Sequence, residues 1–294
     1  MSSKVKVYKT RNGATIKLVN EDSIKDLRKR VRKTIEEKSV DVIVTSPPYN
    51  LGIKYKGYDD TIQRDEYLHW MGIWAVAMRH VLKDSGSLFL NVGSKPSDPM
   101  VPYELLKTMH ESAFHLQNVI HWIKSIAIMK NDVGNYPGIT KDVVVGHYKP
   151  INSDRFLNDC HEFIFHLTKR GNALLDRLAI GVPYQDKSNV KRWANATEGL
   201  HCRGNTWFLP YKTIRHRKDR PHPATFPVEL PTRCIQLHGI ERTKLVLDPF
   251  MGIGTSAIAC VDLDIDFVGY EISKDYFDVA CERLSSPPYN LEIE

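Results

Sequence analysis

The chain has 294 residues, 42% hydrophobic and 26% charged, the balance of a folded globular protein with a sizeable core and not of a disordered or fibrous one. Its formal net charge of +6 favours a polyanionic partner. No apolar run reaches membrane-spanning length, no secretory pattern opens the chain, and five scattered cysteines without CxxC spacing signal neither a disulfide framework nor a metal site, so a cytoplasmic protein is expected.

In chain order, residues 14–19 read as a strand and 23–38 as a helix that Ser23 can cap. Residues 40–44 are apolar and rich in β-branched side chains, the pattern of a buried strand. Residues 52–60 are polar and contain glycine, a candidate mobile loop over a site. Residues 64–82 form a helix with Tyr67, Trp70, Met71, Trp74, Met78 and Leu82 at helical spacing, most simply as core. A strand over 87–92, a helix over 102–112 and strands over 116–123 and 161–167 follow. Helix 228–235, strand 244–247, helix 257–261 and strand 267–270 close the series. The alternation predicts an α/β protein with a mostly parallel, Rossmann-like sheet and helices on both faces. Residues 125–158 and 174–211 lack periodicity and are not expected to extend that sheet.

The strand over 40–44 ends in Thr45-Ser46-Pro47-Pro48-Tyr49-Asn50. Two prolines cannot continue a sheet ladder, so the strand stops there. A hydroxyl, prolyl carbonyls and a tyrosine ring are left at its C-terminal end, where open α/β sheets bind ligands. Such a tip can grip a planar heterocycle bearing an amino group, or it can be a proline-terminated strand and nothing more. Ser286-Pro287-Pro288-Tyr289 repeats the pattern after charged residues, and there it reads as a tail turn.

Near the other end, strand 244–247 runs into Asp248-Pro249-Phe250-Met251-Gly252-Ile253-Gly254-Thr255-Ser256. A helix, a second strand and Glu271 follow. Glycines permit a tight turn and close backbone approach to a ligand, and a carboxylate ending the next strand can accept both ribose hydroxyl protons. Glu271 lies 17 residues beyond Gly254, about the span of one crossover helix. No complete Gly-x-Gly-x-x-Gly is present, which disfavours a dinucleotide. Asp248 is expected to attract a cationic ligand. A third block, His222-Pro223-Ala224-Thr225-Phe226-Pro227, is an extended, proline-stiffened entry to a helix, and Phe226 can pack against an adenine or a methionine chain.

These three blocks resemble motifs IV, I and X of the DNA amino-methyltransferases, in the permuted order of their β group, from about residue 10 to 284. The resemblance implies a class I methyltransferase fold with S-adenosylmethionine as cofactor. It implies Ser46, Pro47, Pro48 and Tyr49 as the catalytic tip. It implies Asp248, Pro249, Phe250, Gly252, Gly254, Thr255, Glu271, His222, Thr225 and Phe226 around the cofactor. It divides the chain into 1–169 and 216–294, the two parts of the catalytic domain, and 170–215, an inserted target-recognition region. Serine at the first motif position is similar to the N4-cytosine enzymes; the alternatives are an N6-adenine enzyme and, less favoured, a non-catalytic DNA-binding relative. Double-stranded DNA is the implied partner, with a cognate restriction endonuclease as a further one. Carbon-5 cytosine methylation needs a cysteine nucleophile, and the chain has no Pro-Cys dipeptide. The basic run 215–220 suits backbone phosphates or a solvated loop equally; the cluster at 28–33 reads as a solvated helix face.

Overall fold

The computed structural model describes residues 4–27, 35–146, 151–185, 199–210 and 225–293. Among them, nine strands form the main sheet. These are β1 (Lys4–Lys9), β2 (Thr15–Asn20), β3 (Val40–Thr45), β4 (Leu82–Val92), β5 (His115–Ile123), β8 (His161–Thr168), β11 (Thr206–Phe208), β12 (Leu245–Asp248) and β13 (Asp266–Tyr270). Their spatial order is β1-β2-β13-β12-β3-β4-β8-β5-β11. All but β1 and β8 point the same way, with β8 antiparallel between β4 and β5.

Alternation along each strand explains the layers. Val42 and Val44 of β3 face one core, with Cys234 and Ile235 of α4 (Glu229–His238), Ala257 and Ile258 of α5 (Thr255–Leu263) and Phe277 and Ala280 of α6 (Lys274–Ser285). Ile43 between them faces the other core, with Met71, Trp74 and Met78 of α2 (Arg64–Val81) and Leu105 and Met109 of α3 (Val101–Ser112). The result is a helix-sheet-helix sandwich. Buried Asp41 fixes the register of β12 against β3: it pairs with Lys83 at 2.6 Å and accepts from the backbone N–H groups of Lys244 (2.9 Å) and Leu245 (3.1 Å).

The expected fold is present, with four differences. Of the helix expected over 23–38, α1 (Ser23–Leu27) is present, residues 28–34 lie outside the described residues and 35–38 are not helical; its cap is Asp22, not Ser23, since Asp22 Oδ1 accepts from Ile24 N at 2.9 Å and Ser23 is already helical. Residues 206–208 do extend the sheet, as β11 beside β5, because Trp207 buries its ring while its backbone completes the edge. Residues 125–158 carry a two-stranded ribbon, β6 (Ser125–Ile128) against β7 (Val143–Gly146). Pairs of strands as short as β9 (Val182–Pro183) and β10 (Leu200–His201) have too few residues to show a period. The second Ser-Pro-Pro-Tyr is the expected turn, with Tyr289 N bonded to the Ser286 carbonyl at 3.1 Å. No helix among the described residues is long and apolar enough to cross a membrane.

A candidate methyl-transfer site

From β12 the chain crosses through α5 to β13 on one side; from β3 it crosses through α2 to β4 on the other. The strand order reverses between the parallel neighbours β12 and β3, and the crevice outside such a switch point is where open α/β sheets bind ligands. Both tips meet there. Val246 and Leu247 pair with Val42 and Ile43, and one step further Thr45 Oγ1 donates to Asp248 Oδ1 at 2.7 Å. Two segments 203 residues apart thus share one cleft.

A cavity of about 310 Å³ opens at this point. Ser46 and Pro48 of the first tip line it, together with Pro249, Phe250, Gly252, Thr255 and Glu271 of the second and Thr225 and Phe226 of the third block. Pro47, Tyr49, Asp248 and Gly254 are near but stand behind the wall. His222 lies outside the described residues.

Asp248 differs from the expectation for it. Its carboxylate is buried and engaged by Thr45 Oγ1, by Ser256 Oγ at 2.6 Å and by Phe250 N at 3.1 Å. Burial, the largest influence, raises its pKa to about 6 against those three bonds. It does not line the cavity; it folds the turn that does. Gly254, at φ 76°, starts α5 in a left-handed conformation, and a Cβ there would sit 3.0 Å from the Ala280 Cβ.

Glu271 does stand on the wall. Gly252 N donates to its Oε2 at 3.0 Å and Ser273 N to its Oε1 at 2.7 Å, which fixes the carboxylate with lone pairs remaining on both oxygens. Burial first, with the nearby Asp248 charge adding, pushes its pKa to about 7 despite the two N–H bonds. Glu21 and Asp22 join it on the wall; Lys56, the one lining cation among the described residues, pairs with Asp275 at 2.7 Å. An acidic wall among aromatic rings suits a cation carrying an adenine: carboxylates attract the charge, and rings stack the base and face a sulfonium. The donor set therefore fits S-adenosylmethionine.

Around Ser46 the structure builds a network that the sequence did not advertise. Ser46 Oγ lies 2.5 Å from the Tyr49 hydroxyl. Asn91 Nδ2 donates to the Tyr49 hydroxyl and to Glu162 Oε2, both at 2.7 Å, and Lys124 Nζ pairs with Glu162 Oε1 at 3.0 Å. Tyr49 is only 6% exposed, with its ring edge against Gly93, so its ring offers no open face to a base. Tyr67 donates to the Pro48 carbonyl at 2.8 Å and stiffens the tip. Asp60, buried and with its pKa raised chiefly by burial, collects the backbone N–H groups of Asn50, Leu51 and Ile53 at 2.8–3.0 Å. That carboxylate folds the segment 50–60 over the cavity, where Tyr55 and Tyr58 line it. Trp70, expected as core, is a cavity wall: it stacks with Tyr58 at 5.8 Å and meets Phe250 edge-on at 5.7 Å. No local signal marks Asn91 or Glu162, which come from β4 and β8 and meet only through sheet pairing.

Comparison with known proteins gives this arrangement a lineage. Residues 40–282 match the DNA methylase (N6/N4 methyltransferase) family. The chain belongs to that family. Among its relatives is the type II methyltransferase M.HpaI of Haemophilus parainfluenzae, 29% identical over 86% of this chain and 71% of that protein. Another is M.Cfr9I of Citrobacter freundii, 28% identical over 95% and 90%. A third is the DNA adenine methyltransferase YhdJ of Escherichia coli, 26% identical over 91% and 82%. The PvuII DNA methyltransferase (cytosine-N4-specific) shares the fold with a TM-score of 0.64 at 17% identity, over 93% of this chain and 87% of that one. So does a modification methylase of Thermus thermophilus solved with S-adenosylmethionine, with a TM-score of 0.54 at 20% identity over 90% of each chain. The fold is that of a class I methyltransferase, and the family makes the chain a DNA methyltransferase.

Proposed function

We propose that this DNA methyltransferase transfers a methyl group to the exocyclic N4 of cytosine in duplex DNA, after the base has swung out of the stack. The observation that carries the reading is the joining of the two tips: Thr45 bonded to Asp248, with Ser46, Gly252 and Glu271 on one cavity. Serine at the head of the tip and the cytosine-N4-specific fold neighbour support cytosine. The adenine enzyme among the relatives supports a second reading, N6 of adenine, in the same site.

S-adenosylmethionine is the methyl donor, and it supplies an electrophilic methyl carbon on a sulfonium. Glu271 would hold the ribose hydroxyls, Phe226 and Phe250 the flat base, and the Gly252–Gly254 turn the amino-acid end. An aromatic amino group is a poor nucleophile because its lone pair is spread into the ring. Ser46 Oγ, on the cavity wall, accepts a hydrogen bond from it and localises the lone pair, and an acceptor set where positive charge grows favours the transition state; Pro47, which does not line the cavity, holds the tip rigid. Tyr49, held by Asn91 and Glu162, keeps Ser46 Oγ in place instead of stacking on the base. Closure of the segment 50–60 excludes water.

The enzyme would work in the cytoplasm, beside a companion restriction endonuclease that its methyl marks block. Incubation of the purified chain with S-adenosylmethionine and mixed-sequence DNA, followed by nucleoside mass spectrometry, tests the reading. N4-methylcytosine is expected; N6-methyladenine would transfer the assignment to the second reading, and no methylated nucleoside would refute both. Ser46→Ala should lower turnover about 100-fold, as loss of one oriented polar contact does, while cofactor binding stays unchanged.

A further inference from the structure

The strand directions decide which loops can touch DNA. The C-terminal ends of β3, β4, β5, β11 and β12 share the edge that holds the Ser46 tip. Residues after Thr168 leave by the opposite edge: Thr168 pairs with His115 at the start of β5, and Asp176 N bonds to the Leu237 carbonyl near the end of α4. The segment expected to recognise the target therefore starts away from the site and, among its described residues, returns through β11. The segment between Ile123 and His161, in contrast, both leaves and re-enters at the catalytic edge.

That segment is anchored at its root and, among the described residues, largely exposed beyond it. Lys124 N donates to the Cys160 carbonyl at 2.8 Å, and Gly146, at φ 95°, lets β7 pass so close to Lys124 and Ser125 that any Cβ would clash. Past this clamp Val144 of the ribbon is 58% and Val145 39% exposed, and Tyr136 between its strands is 58% exposed, while Ile126, Ile128 and Val143 are half-buried. An isolated two-stranded ribbon is marginal in water and needs a surface to cover it. The major groove admits a two-stranded ribbon, and apolar side chains there meet thymine methyl groups.

We infer that the β6–β7 ribbon is a DNA-reading arm that enters the major groove beside the extruded base; this rests on the DNA-methyltransferase reading. Its root lies three strand spacings from β3, about 14 Å, or about four base-pair steps along a duplex. Asn131, Asn135 and Lys141 are exposed between its strands and carry the donors and acceptors that base edges require. The arm also touches the chemistry: Lys124 at its root holds Glu162, which holds Asn91 and Tyr49. Groove engagement is thereby linked to the placement of Ser46.

The test is a full-length triple variant, Asn131→Ala with Asn135→Ala and Lys141→Ala, and separately Tyr136→Ala. Readouts are duplex affinity by anisotropy, the set of methylated sequences by modified-base sequencing, cofactor affinity and melting temperature. Expected are unchanged cofactor affinity and melting temperature, with duplex binding weakened at least about tenfold or a widened set of methylated sequences. Unchanged duplex affinity and an unchanged set would overturn the proposal. So would a lower sedimentation coefficient with DNA binding intact, which would make a second copy the occupant of the ribbon. If the wild-type chain methylates no DNA, the functional reading fails by itself, and the anisotropy comparison still decides the role of the ribbon.

Discussion

Glu271→Gln should separate stability from cofactor binding, in opposite directions. The fold delays ionisation of this carboxyl from its ordinary 4.5 to about 7, chiefly by burial. The native state therefore holds a proton that the unfolded chain has released between those values, so stability falls as pH rises from 4.5 to 7 and the full penalty is present above 7. Each pH unit of delay costs about 1.36 kcal/mol, which sets an upper bound of about 3 kcal/mol. Glutamine removes that penalty but turns an N–H group toward Gly252 N or Ser273 N, forfeiting about 1 kcal/mol of hydrogen bonding. The variant should thus be about 1–2 kcal/mol more stable than wild type at pH 8 and lose the advantage by pH 5. Losing a charged acceptor for a ribose hydroxyl costs about 1.5–3 kcal/mol, or roughly 10- to 150-fold in S-adenosylmethionine affinity. Wild-type affinity should itself weaken as pH falls below about 7, and that dependence should vanish in the variant. Urea unfolding at pH 5, 6, 7 and 8 and calorimetric titration at the same values measure both arms. Equal stability of the two proteins at pH 8, with the same pH slope, would refute the account of the buried carboxylate.

Three further outcomes follow from the same geometry. Asp248→Ala strips the shared acceptor from Thr45, Ser256 and Phe250 N and should destabilise by about 3 kcal/mol, whereas Asp248→Asn keeps an oxygen for Phe250 N and should cost about 1 kcal/mol, both read by urea midpoints. Gly254→Ala meets a left-handed φ of 76° and the Ala280 Cβ at 3.0 Å, so a loss of about 1–3 kcal/mol and weaker cofactor binding should appear together in melting and titration. His166 and His238 both bond Ser87 Oγ inside the core, and burial holds their pKa values down, to about 3 and about 4. The native state binds fewer protons than the unfolded chain below 6.5, so stability should fall as pH drops from 6.5 toward 4, opposite in sign to Glu271 and best isolated in the Glu271→Gln background.

What the sequence disclosed and what it withheld divide along a physical line. The buried strand over 40–44, its proline stop, the glycine turn at 252–254 and the acidic end of β13 each declare themselves within ten residues, because period, proline and glycine act locally. The cleft could be inferred because two such local signals have one common use. Trp70 shows the limit of period: helical spacing says which face of α2 points inward, but not that a cavity interrupts the core there. Asp248 shows the limit of motif reading. Its carboxylate was expected to meet the ligand, yet Thr45 and Ser256 claim it, and one of those partners lies 203 residues away. Asn91 and Glu162 go further, since neither sits in any motif and they meet only because β8 runs antiparallel beside β4, pairing Asn91 with Ile164. The β6–β7 ribbon was illegible for a different reason. Its strands are four residues each, with Val144 and Val145 exposed and Ile126, Ile128 and Val143 half-buried, too short and too evenly wetted to set a period. If the ribbon reads DNA as proposed, the surface that completes its packing belongs to the duplex and leaves no trace in the period of the chain itself.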